Sequence, residues 1–180
     1  MIYPRCFKGD IRKIYAQGEV FLEVAHDKKH PFIVESDDFK LQVLGTRFNI
    51  SNYKGGTTNI VLVEGAVEVT DKNEKKARLN PNDLLNIANG TIAYQKQVDV
   101  AEYISWVEGI MLLNGNDLSQ IIQRLSIYYG ISIQCDPIIG KEKVYGKLDL
   151  KDDIDEVIEC IQQTLPFTIE KSDTSIYLNK

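Results

Sequence analysis

From residue 39 the chain alternates apolar Phe39, Leu41 and Val43 with polar Lys40 and Gln42, the period-two pattern of a half-buried strand. Gly45 interrupts the alternation, and Phe48 and Ile50 then resume the apolar face. A glycine inside a strand pattern marks a bulge or a close backbone approach. A second run repeats the device, with Val61 and Val63 before Glu64-Gly65 and with Val67 and Val69 after it. Lys54-Gly55-Gly56 between the runs has the composition of a hairpin loop, so the two runs read as a strand pair.

The same reading predicts strands at residues 11–15, 20–24, 32–35, 39–44, 47–51, 60–64, 66–70, 84–88 and 92–95, with no helical period among them. Their regular turn spacing predicts a mainly β domain over residues 1–98, a β-sandwich or β-roll. Pro81-Asn82-Asp83 and Ala88-Asn89-Gly90 are turn signals, proline presetting one dihedral and Asn-Gly tolerating positive φ.

After Val98 the period changes, and residues 99–180 contain an internal repeat offset by 36 residues. Asp117, Leu118, Ile121, Ile122 and Leu125 match Asp153, Ile154, Val157, Ile158 and Ile161, while Ile131 and Ile133 match Phe167 and Ile169. Leu112 aligns with Leu148 in the same frame. Each segment predicts a helix with one apolar stripe, opened by a capping-box-like Asp with Gln120 or Glu156 three residues on. Gly130 ends the first helix as a C-terminal cap, and Pro166 stops the second. Two β-α-β repeats result, and a last strand through Ile176, Tyr177 and Leu178 follows the turn Ser172-Asp173-Thr174 as a hairpin partner of residues 167–171. This small α+β domain resembles the short signalling fold of secretins and of the N-terminus of TonB-dependent transporters.

Composition narrows the function classes. A net charge of -5 and a pI near 5.1, with scattered basic groups, argue against nucleic-acid binding, which needs clustered Lys and Arg. The short cationic runs Lys28-Lys29 and Lys75-Lys76 fall in predicted turns, where solvated loop charge is the favoured role. No stretch approaches the roughly 18 to 20 apolar residues that span a bilayer, and Met1-Ile2-Tyr3-Pro4 does not open a signal peptide. The sequence as it stands reads as soluble, without direct membrane contact.

The runs at residues 18–34, 44–51, 60–69 and 78–87, together with Trp106-Val107-Glu108-Gly109, resemble in order and spacing the periplasmic region of FecR-type anti-sigma factors. The strongest part is LGT-x-FN followed by VEGAVEV. The resemblance implies a sensor that works by protein contact and uses no cofactor. Its implied partners are the signalling domain of an outer-membrane TonB-dependent transporter and an ECF sigma factor. The sigma factor is bound through a cytoplasmic region that, with one membrane helix, precedes this part of the family's chain. The resemblance therefore also implies a piece of a longer inner-membrane protein and a periplasmic location. Regulated proteolysis commonly intervenes in such signalling. A partner strand added along Ser175, Ile176, Tyr177 and Leu178 is the candidate contact.

Chemical constellations are weak. His26 and His30 stand at i, i+4, which would face one metal on a helix, but they lie in a turn ending at Pro31 beside two lysines, so a solvated turn is favoured. The carboxylate pairs Asp37-Asp38 and Asp152-Asp153 read as turn and capping residues, not as acid/base machinery. Cys6, Cys135 and Cys160 have no metal or redox spacing, and burial is expected for Cys135 and Cys160. Tyr103, Trp106, Val107 and Ile110 are read as an interdomain junction in preference to a partner contact. Of Tyr128-Tyr129, one is expected to pack beneath the helix end and the other to be solvated. No nucleophile elbow, P-loop or dinucleotide fingerprint occurs, so an enzyme is the least favoured class. The alternative is a carbohydrate- or surface-binding β-sandwich module with an accessory α+β domain, which calls for aromatics clustered on one sheet face.

Overall fold

Alternating runs fold as strands because every second side chain then reaches one side of a sheet and leaves the others to water. The computed structural model describes residues 1–180 except Lys8, Lys54, Gly55 and Asp173, and divides into two compact units, Met1–Ile104 and Ser105–Lys180. The division follows Ile104, and the helical turn before it is tied to Asp99 and Val100 through the N–H groups of Ala101, Tyr103 and Ile104.

The first unit comprises β1 (Arg12–Tyr15), β2 (Gly18–Val24), β3 (Phe32–Glu35), β4 (Phe39–Val43), β5 (Thr46–Asn52), β6 (Thr58–Glu64), β7 (Val67–Asp71), β8 (Lys76–Leu79), β9 (Asp83–Ala88), β10 (Thr91–Gln97) and the turn α1 (Ala101–Ile104). Two five-stranded sheets, in the orders β1-β3-β4-β7-β8 and β10-β9-β6-β5-β2, face each other as a β-sandwich. Both contribute to one core, Leu41, Val43, Val67, Val69 and Leu79 from the first and Phe48, Ile50, Ile60, Leu62, Leu85 and Ile87 from the second. The unexpected strand is β8, which takes Lys76 out of its predicted turn. Its alternation is short and its outward positions are charged, so the apolar signal reduces to Ala77 and Leu79. At the β9–β10 turn Asn89 and Gly90 both have positive φ, 52° and 73°, as a tight hairpin of that type requires.

The two signature runs are one long hairpin bent across both sheets. β4 pairs with β7 in the first sheet, Leu41 opposite Val69, and β5 pairs with β6 in the second, Ile50 opposite Ile60; the same register runs through both halves apart from a slip beside Arg47. Lys54 and Gly55 of the expected hairpin loop lie outside the described residues. Gly45 and Gly65 are the corners where the two arms change sheets, so the glycine that broke the alternation marks a crossing and not a bulge within one strand. The close approach expected there is present. A Cβ on Gly45 would lie 2.5 Å from the His26 Cα, and one on Gly65, whose φ is +94°, would lie 2.8 Å from the Gly45 carbonyl oxygen. Thr46 locks the crossing, its buried hydroxyl donating to the Ala66 carbonyl at 3.1 Å.

The second unit comprises a 3-10 turn (Ser105–Glu108), β11 (Ile110–Asp117), α2 (Leu118–Tyr129), β12 (Ser132–Cys135), a second 3-10 turn (Ile139–Lys141), β13 (Lys143–Asp149), α3 (Ile154–Thr164), β14 (Thr168–Lys171) and β15 (Ser175–Asn179). The repeat appears as β11-α2-β12 and β13-α3-β14, but the two strands of each repeat enter different sheets, β11-β13 and β12-β15-β14. The apolar stripes bury as their spacing requires: Leu118, Ile121, Ile122 and Leu125 of α2 and Val157, Ile158 and Ile161 of α3 join one core with Met111, Leu148, Phe167, Ile176 and Leu178. Gly130 caps α2 in the left-handed conformation, φ 68°, and α3 ends before Pro166.

Two sequence expectations are corrected here. Asp117 and Asp153 occupy the N-cap positions without a side-chain cap bond. Asp117 instead pairs with the Lys143 Nζ at 3.0 Å, and the first N–H of α2 donates to the Glu142 carbonyl at 2.9 Å. Leu112 is half-buried while Leu148 is buried, because the β11 register slips between Asn114 and Asn116 and moves Met111 and Leu113 onto the core face. Asp173 of the expected Ser172-Asp173-Thr174 turn lies outside the described residues. Across the core end of α2, the Tyr129 hydroxyl sits 3.0 Å from the Leu150 carbonyl and 2.9 Å from that of Asp152, pinning the segment before α3.

Two substitutions test these joints. Gly65→Ala is expected to destabilise the protein by about 1–3 kcal/mol, the range for a strained left-handed position, read from the urea unfolding midpoint. Tyr129→Phe should cost about 1 kcal/mol, one partly buried hydrogen bond, with the loss appearing as faster amide exchange at residues 150–153.

Candidate functional site

Strand edges are where a β-rich protein can meet other chains, since an unpaired edge presents a row of N–H and C=O groups. In the sheet β12-β15-β14 the middle position belongs to β15. It pairs in parallel with β12, Ile133 opposite Ile176, and antiparallel with β14, Ile169 opposite Leu178. Ser175, Ile176, Tyr177 and Leu178, the expected site of strand addition, therefore have both edges occupied. Ile176 and Leu178 also point into the core. The parallel pairing with β12 joins residues more than 40 apart in sequence, and the local hairpin signal carried no trace of it.

The outer strands of this sheet are β12 and β14, and β14 is the one exposed along its whole length. All four residues of β14 are exposed, Thr168, Ile169, Glu170 and Lys171. The register places Ile169 and Lys171 on the core-facing side with Leu178 and Ile176, and Glu170 on the opposite side with Tyr177. The Lys171 ammonium is drawn to the Asp155 carboxylate on α3. Ile169 is an apolar residue on the core face that nonetheless remains 38% exposed.

The remaining candidates are used locally. Asp27 Oδ1 accepts the N–H groups of Lys29 and His30 while its Oδ2 meets the His30 Nδ1 at 2.7 Å, and this His30 contact first of all holds the Asp27 carboxyl below its ordinary value. His26 serves the other end of that segment, against Gly45. Among the described residues no three His, Cys, Asp or Glu side chains form a metal-binding group. Asp37 accepts from the Tyr15 hydroxyl at 2.7 Å, and Asp38 pairs with Lys72 at 2.8 Å. Both border a cleft of about 420 Å³ on the outward face of the first sheet, where Lys13 pairs with Glu35 and Lys76 with Glu68. Asp152 contributes its carbonyl to Tyr129, and Asp153 opens α3.

Cys160 is exposed, which corrects its expected burial, because it falls beside the α3 stripe and not within it; Cys6 is exposed as well. Cys135 is half-buried at the end of β12, and desolvation raises its thiol pKa. Tyr103 lies in α1 of the first unit. Trp106 packs on the core of the second unit, Val107 is exposed, and half-buried Ile110 begins β11. Tyr129 is half-buried against the core, with Tyr128 exposed and edge-on to it, ring centroids 5.1 Å apart. Among the described residues no helix is long and apolar enough to cross a membrane.

Sequence reasoning missed Asp71. It is buried at the end of β7, where Oδ1 accepts the N–H groups of Asn73 and Lys75 and Oδ2 that of Ile92. These bonds, that from Ile92 foremost, hold its carboxyl below the ordinary 3.8 against the opposing effect of burial. The signal was present as Asp followed by Lys-Asn, a turn-forming pattern.

Comparison with known proteins bears on the whole chain. The family described as "FecR protein" matches residues 7–68, and that described as "FecR, C-terminal" matches residues 110–178. No curated protein matches the sequence. A crystal structure of a candidate anti-sigma factor from Parabacteroides distasonis is similar at 31% identity with a TM-score of 0.83, the match covering 99% of this chain and 84% of that one. A second crystal structure of a candidate anti-sigma factor from the same organism gives 31% and 0.82 over the same shares.

Because the folded carboxylate of Asp71 has a depressed pKa, its contribution to stability is complete above 3.8 and is lost as pH falls through the folded value. Asp71→Asn should therefore be less stable than the natural chain at neutral pH, with the gap closing below 3.8. Urea unfolding across a pH series reads this directly; a gap independent of pH would refute the assignment.

Proposed function

Because the chain belongs to the FecR family of anti-sigma factors, we propose that it is the periplasmic signal-receiving region of a single-pass inner-membrane anti-sigma factor. Its role is regulatory. The signalling domain of a ligand-loaded outer-membrane TonB-dependent transporter binds here, and the message passes to a cytoplasmic region outside this sequence that controls an ECF sigma factor. The result is transcriptional control of nutrient uptake, iron uptake included.

The observation that carries the reading is the match of both units, over 99% of the chain, to a structure of an anti-sigma factor candidate at 31% identity. The local chemistry agrees with a protein that acts by contact. Several of its charged side chains pair with neighbours, as Lys13 does with Glu35 and Asp38 with Lys72, while β14 stands at the outside of its sheet.

Calorimetric titration of the purified chain with isolated N-terminal signalling domains of TonB-dependent transporters encoded beside its gene tests the proposal, with a glycan panel as control. Saturable binding to one signalling domain and to no glycan is expected. Binding to glycans alone would transfer the assignment to a carbohydrate-binding module.

A further inference from the structure

Core-facing apolar residues on the outermost strands other than β14 are buried or half-buried, the half-buried ones being Leu22 and Val24 on β2, Ala77 on β8 and Ile92 on β10. On β1 Ile14 is 4% exposed, on β8 Leu79 is 0%, on β12 Ile133 is 6%, and on β13 Val144 and Leu148 are 6% and 4%. On β14 the equivalent residue, Ile169, is 38% exposed. It stands in register with Leu178 and Cys135, so the row Cys135-Leu178-Ile169 runs from one edge of the sheet toward the other and stops with its last apolar member uncovered. The core is thus one strand short at this edge. Strands that end a sheet are commonly guarded by a charge pointing inward or along the edge. The inward-facing lysine of β14, Lys171, is instead held against Asp155 of α3.

We propose that β14 accepts an extended segment of the transporter's signalling domain as a fourth strand of the β12-β15-β14 sheet. The inference rests on the function proposed above and names where and how that contact is made. Strand addition supplies affinity through main-chain hydrogen bonds, and the alternate side chains supply specificity. The register sets what the added strand must carry. Directly opposite residues share a face, so an apolar side chain opposite Ile169 completes the core row. A basic side chain opposite Glu170 pairs with the one carboxylate that β14 sets on the solvent face beside Tyr177. The occupant is therefore an alternating apolar and basic segment. The middle strand β15 cannot take this role because both its edges are already paired.

The test uses the full chain with the signalling domain that saturates it in the titration above. Amide hydrogen exchange should show new protection at residues 168–171 in the complex. Ile169→Lys and Glu170→Lys should each weaken binding about tenfold or more, the loss expected of a central interface contact, while the Glu170→Lys unfolding midpoint stays near that of the natural chain because that side chain is on the solvent face. Lys147→Glu, on β13, should bind unchanged. If a signalling domain binds while residues 168–171 gain no protection and both variants keep full affinity, the placement is overturned and the functional reading stands. If no signalling domain binds, the reading and the placement fall together. Sedimentation showing a dimer of this chain with protection at the same four residues would also overturn the proposal, since the edge would then be closed by a second copy.

Discussion

The bend of one hairpin at Gly45 and Gly65 is the constraint on which the first unit depends. Its two arms stay paired as they leave one sheet and enter the other, so a single register sets which residues of four strands face inward. A one-residue slip would turn Leu41, Val43, Phe48, Ile50, Ile60, Leu62, Val67 and Val69 together from core to solvent. The corner has no room for side chains because two backbones meet there, Gly65 against the Gly45 carbonyl and Gly45 against His26. Hydrophobic burial drives the sheets together, but the glycine contact decides that they meet in this register.

The second unit solves a different problem with a duplicated part. Two amphipathic helices cannot bury their stripes alone, and each strand they connect lies in a separate sheet, so both sheets close on one core. Strict repetition is sacrificed where the copies must differ. The slip in β11 turns Met111 and Leu113 inward, and β11 runs directly into α2, whereas β13 reaches α3 through a separate segment anchored by Tyr129. The duplicated acids follow the same logic: Asp117 keeps the cap position but spends its carboxylate on Lys143.

Electrostatics here is local and structural. Buried Asp71 is satisfied by three backbone donors, and the exposed acids of the first sheet pair with neighbouring lysines or a tyrosine. Exposed pairs of this kind contribute little to stability, on the order of 0–1 kcal/mol each, but they keep the surface solvated and leave strand edges and their side chains as the means of recognition. That is consistent with a family of regulators whose task is contact with other proteins.

Much of this was legible in the sequence because it depends on neighbours a few residues apart. Alternation located nine of the ten strands of the first unit, helical spacing located the two long helices with their buried stripes, and Asn89-Gly90 and Gly130 declared their turn and cap. The family was legible too, since LGT-x-FN and VEGAVEV are the two corners of the bent hairpin, where only a few residue types fit. What the tertiary structure alone decided is pairing between distant segments. It put β15 between β12 and β14, so the last strand has both edges paired and β14 lies at the outside of the sheet. It also converted two capping acids into an ion pair and a bare N-cap, and it left Cys160 in solvent. Periodicity fixes which side of an element is apolar, but which element covers it depends on contacts whose partners lie tens of residues away.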